Sequence, residues 1–107
     1  MAKSSLGLKE NIGGVLAYAF GAISGLLIYL LEKENKTIRF HALQSLIVFG
    51  GLWILSIVVS VIPIVGWLIA VLLTPVSFIL WVYMMITAYQ GKKVKLPIAG
   101  KIAEENA

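Results

Sequence analysis

His41 is the only histidine in this chain of 107 residues. Gln44 and Ser45 follow it three and four positions later. On a helix those spacings place all three side chains on one face, which Val48 continues. An imidazole, an amide and a hydroxyl together can relay protons, line a small polar cavity or hold a polar partner. They can equally hydrogen-bond to helix ends packed against them. Most other chemistry lacks its parts. The chain has no Cys and no Asp, and all five Glu lie in polar segments. No carboxylate pair, serine triad, metal-ligand cluster or phosphate-cradling glycine loop is present in the sequence. Neither an enzyme nor a resident metal or cofactor is expected.

Composition explains the shortage. Hydrophobic residues make up 60% of the chain and charged residues 13%, with a mean hydropathy of +0.96. Soluble domains average about 25% charged residues. A water-soluble globule of this size could not hide so much apolar surface. The chain is therefore expected to be a single integral membrane domain over residues 1–107. The net charge of +4 would suit nucleic acid, but the basic residues fall in three short polar stretches. There they fit topology signals and contacts to lipid headgroups, with Arg39, Lys92, Lys93 and Lys95 as the candidate headgroup residues. No nucleic-acid partner is expected.

The charges also divide the chain into elements. Polar tails at 1–10 and 91–107 and a charged linker at 32–39 bound two uncharged runs. The first, over about 12–31, has the ~20 residues needed to cross a ~30 Å hydrocarbon core. Ala17-Tyr18-Ala19 has the form of a signal cleavage site, but too few apolar residues precede it. The second run would be about 70 Å long as one helix, so it must turn back. Pro63, which removes a helix donor, and Gly66, which permits unusual backbone angles, place the turn near 62–67. The expected fold is thus all-α, a polytopic transmembrane bundle of three membrane-spanning helices over about 12–31, 42–62 and 65–89. Asn35 or Thr37 would cap the second helix, and Pro75 would kink the third.

In the first helix, Ala17, Gly21 and Gly25 recur every fourth residue and form a groove for close packing, either within the chain or between copies. Three crossings place the linker and C-terminal tail on one side with most of the Lys and Arg. The multi-pass chain is expected in the plasma or inner membrane, with its N-terminus outside and its C-terminus in the cytoplasm. Tyr29 and Tyr89 fall at the inner interface, Tyr18 and Trp67 towards the outer one, and Trp53 and Trp81 deeper as packing residues.

Two stretches carry a family resemblance. Phe40-His41-Ala42-x-Gln44 opens the second helix, and Ala88-x-x-Gly91 followed by a basic stretch and Pro97-Ile98 closes the third. Together with the three-span layout they resemble a family of small prokaryotic membrane proteins of unknown function related to the Tic import component of the chloroplast inner envelope. The resemblance implies a translocon-like accessory role. The residues themselves imply a non-enzymatic scaffold or accessory subunit, bound to membrane lipids and to itself or a larger membrane complex. The alternative is a homo-oligomeric small channel or carrier, whose lumen would need Ser24, Ser56, Ser60, Thr74 or Ser77.

Overall fold

The computed structural model describes residues 5–107, and all regular structure in them is helical. The helices are α1 (Glu10–Ala19), α2 (Ala22–Leu31), α3 (Lys36–Ser60), α4 (Val65–Tyr89) and α5 (Ala99–Asn106). Asn35 starts α3, its Oδ1 accepting from the Ile38 N–H at 3.0 Å, which satisfies one of the donors a helix start leaves unpaired. At 25 residues each, α3 and α4 are long and apolar enough to cross a membrane.

The first apolar run differs from the single span expected over 12–31. It is two ten-residue helices broken at Phe20–Gly21. Gly21 has φ +61°, a left-handed conformation that a residue without Cβ adopts freely. Each half is about 15 Å long, half of a hydrocarbon core. Their contacts give the path. Gly13 faces Ile38 and Gly14 faces His41, so α1 runs in the direction of α3. Gly21 lies against Phe49 and Gly25 against Ala42 and Ser45, so α2 runs back along it. α1 and α2 form a helical hairpin. Its tip lies beside Phe49, ~20 Å along α3 from Lys36.

The hairpin moves the N-terminal segment. The Ser5 N–H donates to Glu32 Oε2 at 2.7 Å, and the Lys33 N–H donates to Ser5 Oγ at 3.0 Å. The C-terminal helix is at the same end, where the Tyr29 hydroxyl donates to the Asn106 carbonyl at 2.9 Å. Residue 5 and the C-terminal helix thus share one end of a molecule 49 Å long, which corrects the expectation of termini on opposite sides. Two long helices and a hairpin bring the chain back to the end where residue 5 lies; three successive long helices would not.

α5 was not expected in the polar tail. It buries Ala99, Gly100 and Ala103, and Lys95 pairs with Glu104. That hydrogen bond holds the Glu104 carboxyl below its usual range. At the opposite end, the turn from Val61 to Ile64 carries no charge, and the Trp67 indole N–H donates to the Ser60 carbonyl at 2.9 Å. A Cβ on Gly66 would collide with the Val59 carbonyl, so only glycine fits there. Pro75 lies inside α4, and the Thr74 hydroxyl donates to the Ala70 carbonyl at 3.3 Å in the turn before it. Most of α4 turns apolar side chains outward, Val71 at 67% exposure and Phe78 at 61% among them. Trp53, expected to pack inside, is 69% exposed. Such a surface suits hydrocarbon rather than water.

Gly25 tests the hairpin. A Cβ there would lie 2.6 Å from the Ala42 carbonyl oxygen and 2.9 Å from the Leu46 nitrogen. Gly25→Val is expected to force α2 off α3 and to cost about 1–3 kcal/mol, with Gly21→Ala costing about 1–2 kcal/mol through its backbone angle alone. Thermal unfolding in bicelles, followed by circular dichroism, measures both. A Gly25→Val protein melting like the parent would show that α2 does not pack there.

Candidate functional site

The polar face opening α3 meets three other parts of the chain. Gln44 is fully buried, and its partners define its orientation. The Leu96 N–H can only donate, and it donates to Gln44 Oε1 at 2.9 Å. The Gln44 Nε2 then donates to the Val94 carbonyl and to the Tyr18 hydroxyl oxygen, each at 2.9 Å. One side-chain amide thereby stands in for a neighbouring strand and clamps the extended segment after α4.

The chain of bonds continues to His41. The Tyr18 hydroxyl accepts from Gln44 and also hydrogen-bonds to His41 Nδ1, 2.9 Å away. The Tyr18 and His41 rings meet edge to face with centroids 5.4 Å apart. This network joins α1, α3 and the C-terminal segment. At one end it stops on the Val94 and Leu96 backbone, and at the other on the His41 ring beside the hairpin base.

Ser45 serves a different place. Its hydroxyl donates to the Gly21 carbonyl at 2.9 Å, at the hairpin tip. Ser24 also acts there. Its Oγ accepts from the Phe20 N–H at 3.0 Å and donates towards the carbonyls of Ala17 and Gly21, at 3.1 and 3.2 Å. Trp81 donates its indole N–H to the Tyr18 carbonyl at 2.6 Å. These side chains satisfy the backbone groups released where α1 stops and α2 starts. Ala17, Gly21 and Gly25 therefore do not form one helix groove, since the helix breaks within their stripe. Ala17 is buried on α1, Gly21 is the break, and Gly25 is the close contact of α2 with α3.

The basic residues also separate. Arg39 turns back onto its own chain, donating to the carbonyls of Tyr29 (2.9 Å) and Glu32 (2.6 Å) and lying 4.3 Å from the Tyr29 ring centre. It caps the end of α2. The Lys93 ammonium lies 4.7 Å over the Phe40 ring, Lys95 pairs with Glu104, and Lys92 is exposed. Glu32 was expected to be only a linker charge. It is fully buried, and its Oε2 accepts from the N–H groups of Ser5, Glu34 and Asn35.

A cavity of about 350 Å³ opens at the base of the hairpin, lined by Glu10, Asn11, Thr37, His41, Ala88 and Gly91. Asn11 Oδ1 is itself buried and has no hydrogen-bond partner. Among the described residues no group of three or more His, Cys, Asp or Glu is placed to hold a metal ion.

Comparison with known proteins places these features in a family. The model of the magnetosome magnetite crystal formation protein family matches residues 6–103. A UPF0132 membrane protein of Methanocaldococcus jannaschii is 55% identical over 105 residues, 98% of this chain and 94% of the relative. A second from that organism is 49% identical over 100 residues, 94% of this chain and 71% of the relative. One from Archaeoglobus fulgidus is 44% identical over 98 residues, 92% of this chain and 95% of the relative. No solved structure matches the chain.

Gln44→Leu leaves the Leu96 N–H, the Val94 carbonyl and the Tyr18 hydroxyl each short of a buried partner. It is expected to cost about 2–4 kcal/mol and to free the C-terminal segment, whereas Tyr18→Phe should cost about 1 kcal/mol. Limited proteolysis after Lys92 and Lys93, run alongside thermal unfolding, reads both effects. Unchanged cleavage in Gln44→Leu would show that the amide is no clamp.

Proposed function

We propose, from the premise that this chain belongs to the magnetosome magnetite crystal formation protein family of small prokaryotic membrane proteins, that it is a non-enzymatic scaffold or accessory subunit of a membrane complex. One observation carries the reading. Gln44, Ser45 and Trp81 spend their polar groups in holding the hairpin and the C-terminal segment, while α3 and α4 present broad exposed apolar faces. A protein so arranged offers surface rather than reactivity.

Other features support the finer points of that reading. The hairpin base, the linker and the C-terminal segment hold Lys9, Lys33, Lys36, Arg39, Lys92, Lys93, Lys95 and Lys101 at one end. An excess of Lys and Arg marks the cytoplasmic side of a plasma-membrane protein, so both ends of the described chain face the cytoplasm. The hydroxyls of Ser24, Ser60 and Thr74 bond to their own backbone, which favours a scaffold over a hydroxyl-lined channel. The resemblance to the Tic import component makes a translocon one form of the complex. The family's description names magnetite crystal formation; this chain's own residues speak only to assembly in a membrane.

Two measurements test the proposal. The chain has no Cys, so single replacements report sidedness. Lys9→Cys and Lys101→Cys are expected to react with an impermeant maleimide from the cytoplasmic side, and Ile64→Cys from the outside. Labelling of positions 9 and 101 from opposite faces would overturn the arrangement. Extraction in native-lipid particles followed by mass measurement should then give a complex of defined stoichiometry, with itself or with another membrane protein. A bare monomer would overturn the scaffold.

A further inference from the structure

Trp53 differs from the other two tryptophans. The indole N–H groups of Trp67 and Trp81 each donate to a backbone carbonyl. The N–H of Trp53 has no hydrogen-bond partner among the described residues, and Trp53 is among the most exposed apolar residues of α3. It lies eleven residues from Ala42 and nine from Ile62, near the middle of that uncharged stretch. A tryptophan whose only partner is lipid sits at headgroup level, where its N–H is met.

A groove of about 270 Å³ between α3 and α4 lies beside it. Phe49 and Trp53 line it from α3, and Ser56, Thr74 and Ser77 bring hydroxyls. Thr74 bonds to its own helix at the Ala70 carbonyl. Ser56 and Ser77 have no hydrogen-bond partner among the described residues. Neither hydroxyl is sealed inside the chain, since Asn11 Oδ1 is the one buried side-chain atom among the described residues that lacks a partner.

A free donor and two free acceptors thus share one face. Trp53 and Ser56 are three residues apart on one side of α3, ~4.5 Å along its axis. Hydrocarbon cannot supply what these groups lack, and an unmet polar group is costly there. An acyl chain brings no polar atom to the groove. A second copy brings both donor and acceptor. Two copies inserted with the same sidedness are related by a two-fold axis along the membrane normal, which sets residues of equal depth opposite one another. Each Trp53 then faces the other copy's groove at its own level, and one contact is made twice.

We propose that a second copy of this chain packs on this face with two-fold symmetry. Trp53 of each copy enters the α3–α4 groove of the other, and its indole N–H donates to the Ser56 or Ser77 hydroxyl there. The inference rests on the membrane-scaffold reading above and makes the chain its own partner.

The test uses the full chain, labelled with a fluorophore at Lys101→Cys, in dioleoyl phosphatidylcholine liposomes over a range of protein-to-lipid ratios. Single-molecule photobleaching counts the copies per assembly. The parent protein is expected to bleach in two steps. Trp53→Ala should bleach in one, with helix content unchanged. Trp53→Phe keeps an aromatic ring and loses the N–H. An interhelical hydrogen bond in a membrane is worth about threefold in affinity, so losing two weakens the dimer about tenfold. Ser56→Ala with Ser77→Ala should weaken it equally, and this pair keeps the test open if Trp53→Ala fails to fold. All three replacements together, Trp53→Phe included, should cost no more than either set alone, because both sets remove the same bond. Additive losses would overturn the pairing, and a dimer unaffected by Trp53→Ala would overturn the interface. A parent protein that is monomeric in liposomes yet leaves native membranes bound to another membrane protein would overturn this inference and leave the scaffold reading standing. One that is monomeric in both settings would overturn both.

Discussion

A polypeptide that reverses direction in hydrocarbon must satisfy every backbone group the reversal releases. Water is absent there, and each unpaired N–H or carbonyl costs several kcal/mol. This chain turns at Phe20–Gly21, and Ser24, Ser45 and Trp81 serve the freed groups from three different helices. The rest of the architecture follows from that solution. With the turn stabilised, α1 and α2 lie side by side on the first half of α3. The N-terminal segment then returns to the end it left, and the basic residues of three polar stretches collect at one pole. The opposite pole, from Val61 to Ile64, keeps no charge.

Gln44 performs a related task at the base. Its amide supplies both a donor and an acceptor to the extended stretch at Val94 and Leu96, and that stretch leads into α5. The two motifs that carry the family resemblance, one opening α3 and one following α4, are therefore two halves of one contact. His41 lies within it, tied to Gln44 through Tyr18. The three residues that helical spacing puts on one face divide their duties: Gln44 holds the tail, His41 holds Tyr18 of α1, and Ser45 holds the hairpin tip.

The long elements were readable because their signals are local. Charge boundaries mark α3 and α4, and Pro63 with Gly66 marks the turn between them. The membrane character follows from composition, and the relatives named as membrane proteins share it. The hairpin was not readable from hydropathy, because twenty apolar residues look alike as one rod of ~30 Å or two of ~15 Å. Its signal was Gly21 with Ser24 three residues on, but the other partners, Ser45 and Trp81, are distant in sequence. The role of Arg39 was hidden similarly. A basic residue beside a span suggests headgroups, and only the fold brings the open carbonyls of Tyr29 and Glu32 within its reach. α5 escaped because its polar sequence forms a helix only with α3 to bury Ala99 and Ala103.

The half-depth hairpin also gives the molecule a shape. Near its basic end α1, α2 and α5 pack beside α3 and α4; beyond Phe20 the molecule holds α3 and α4 alone. With each helix about 10 Å wide, a bilayer crossed by α3 and α4 would have to make room for roughly twice as much protein in one leaflet as in the other. The protein is a wedge. A single wedge strains a flat bilayer slightly, and neighbouring wedges relieve that strain together by bending the sheet so that the crowded leaflet is on the outside of the curve. Placed so, and without any moving part, the hairpin would give the protein a preferred membrane curvature.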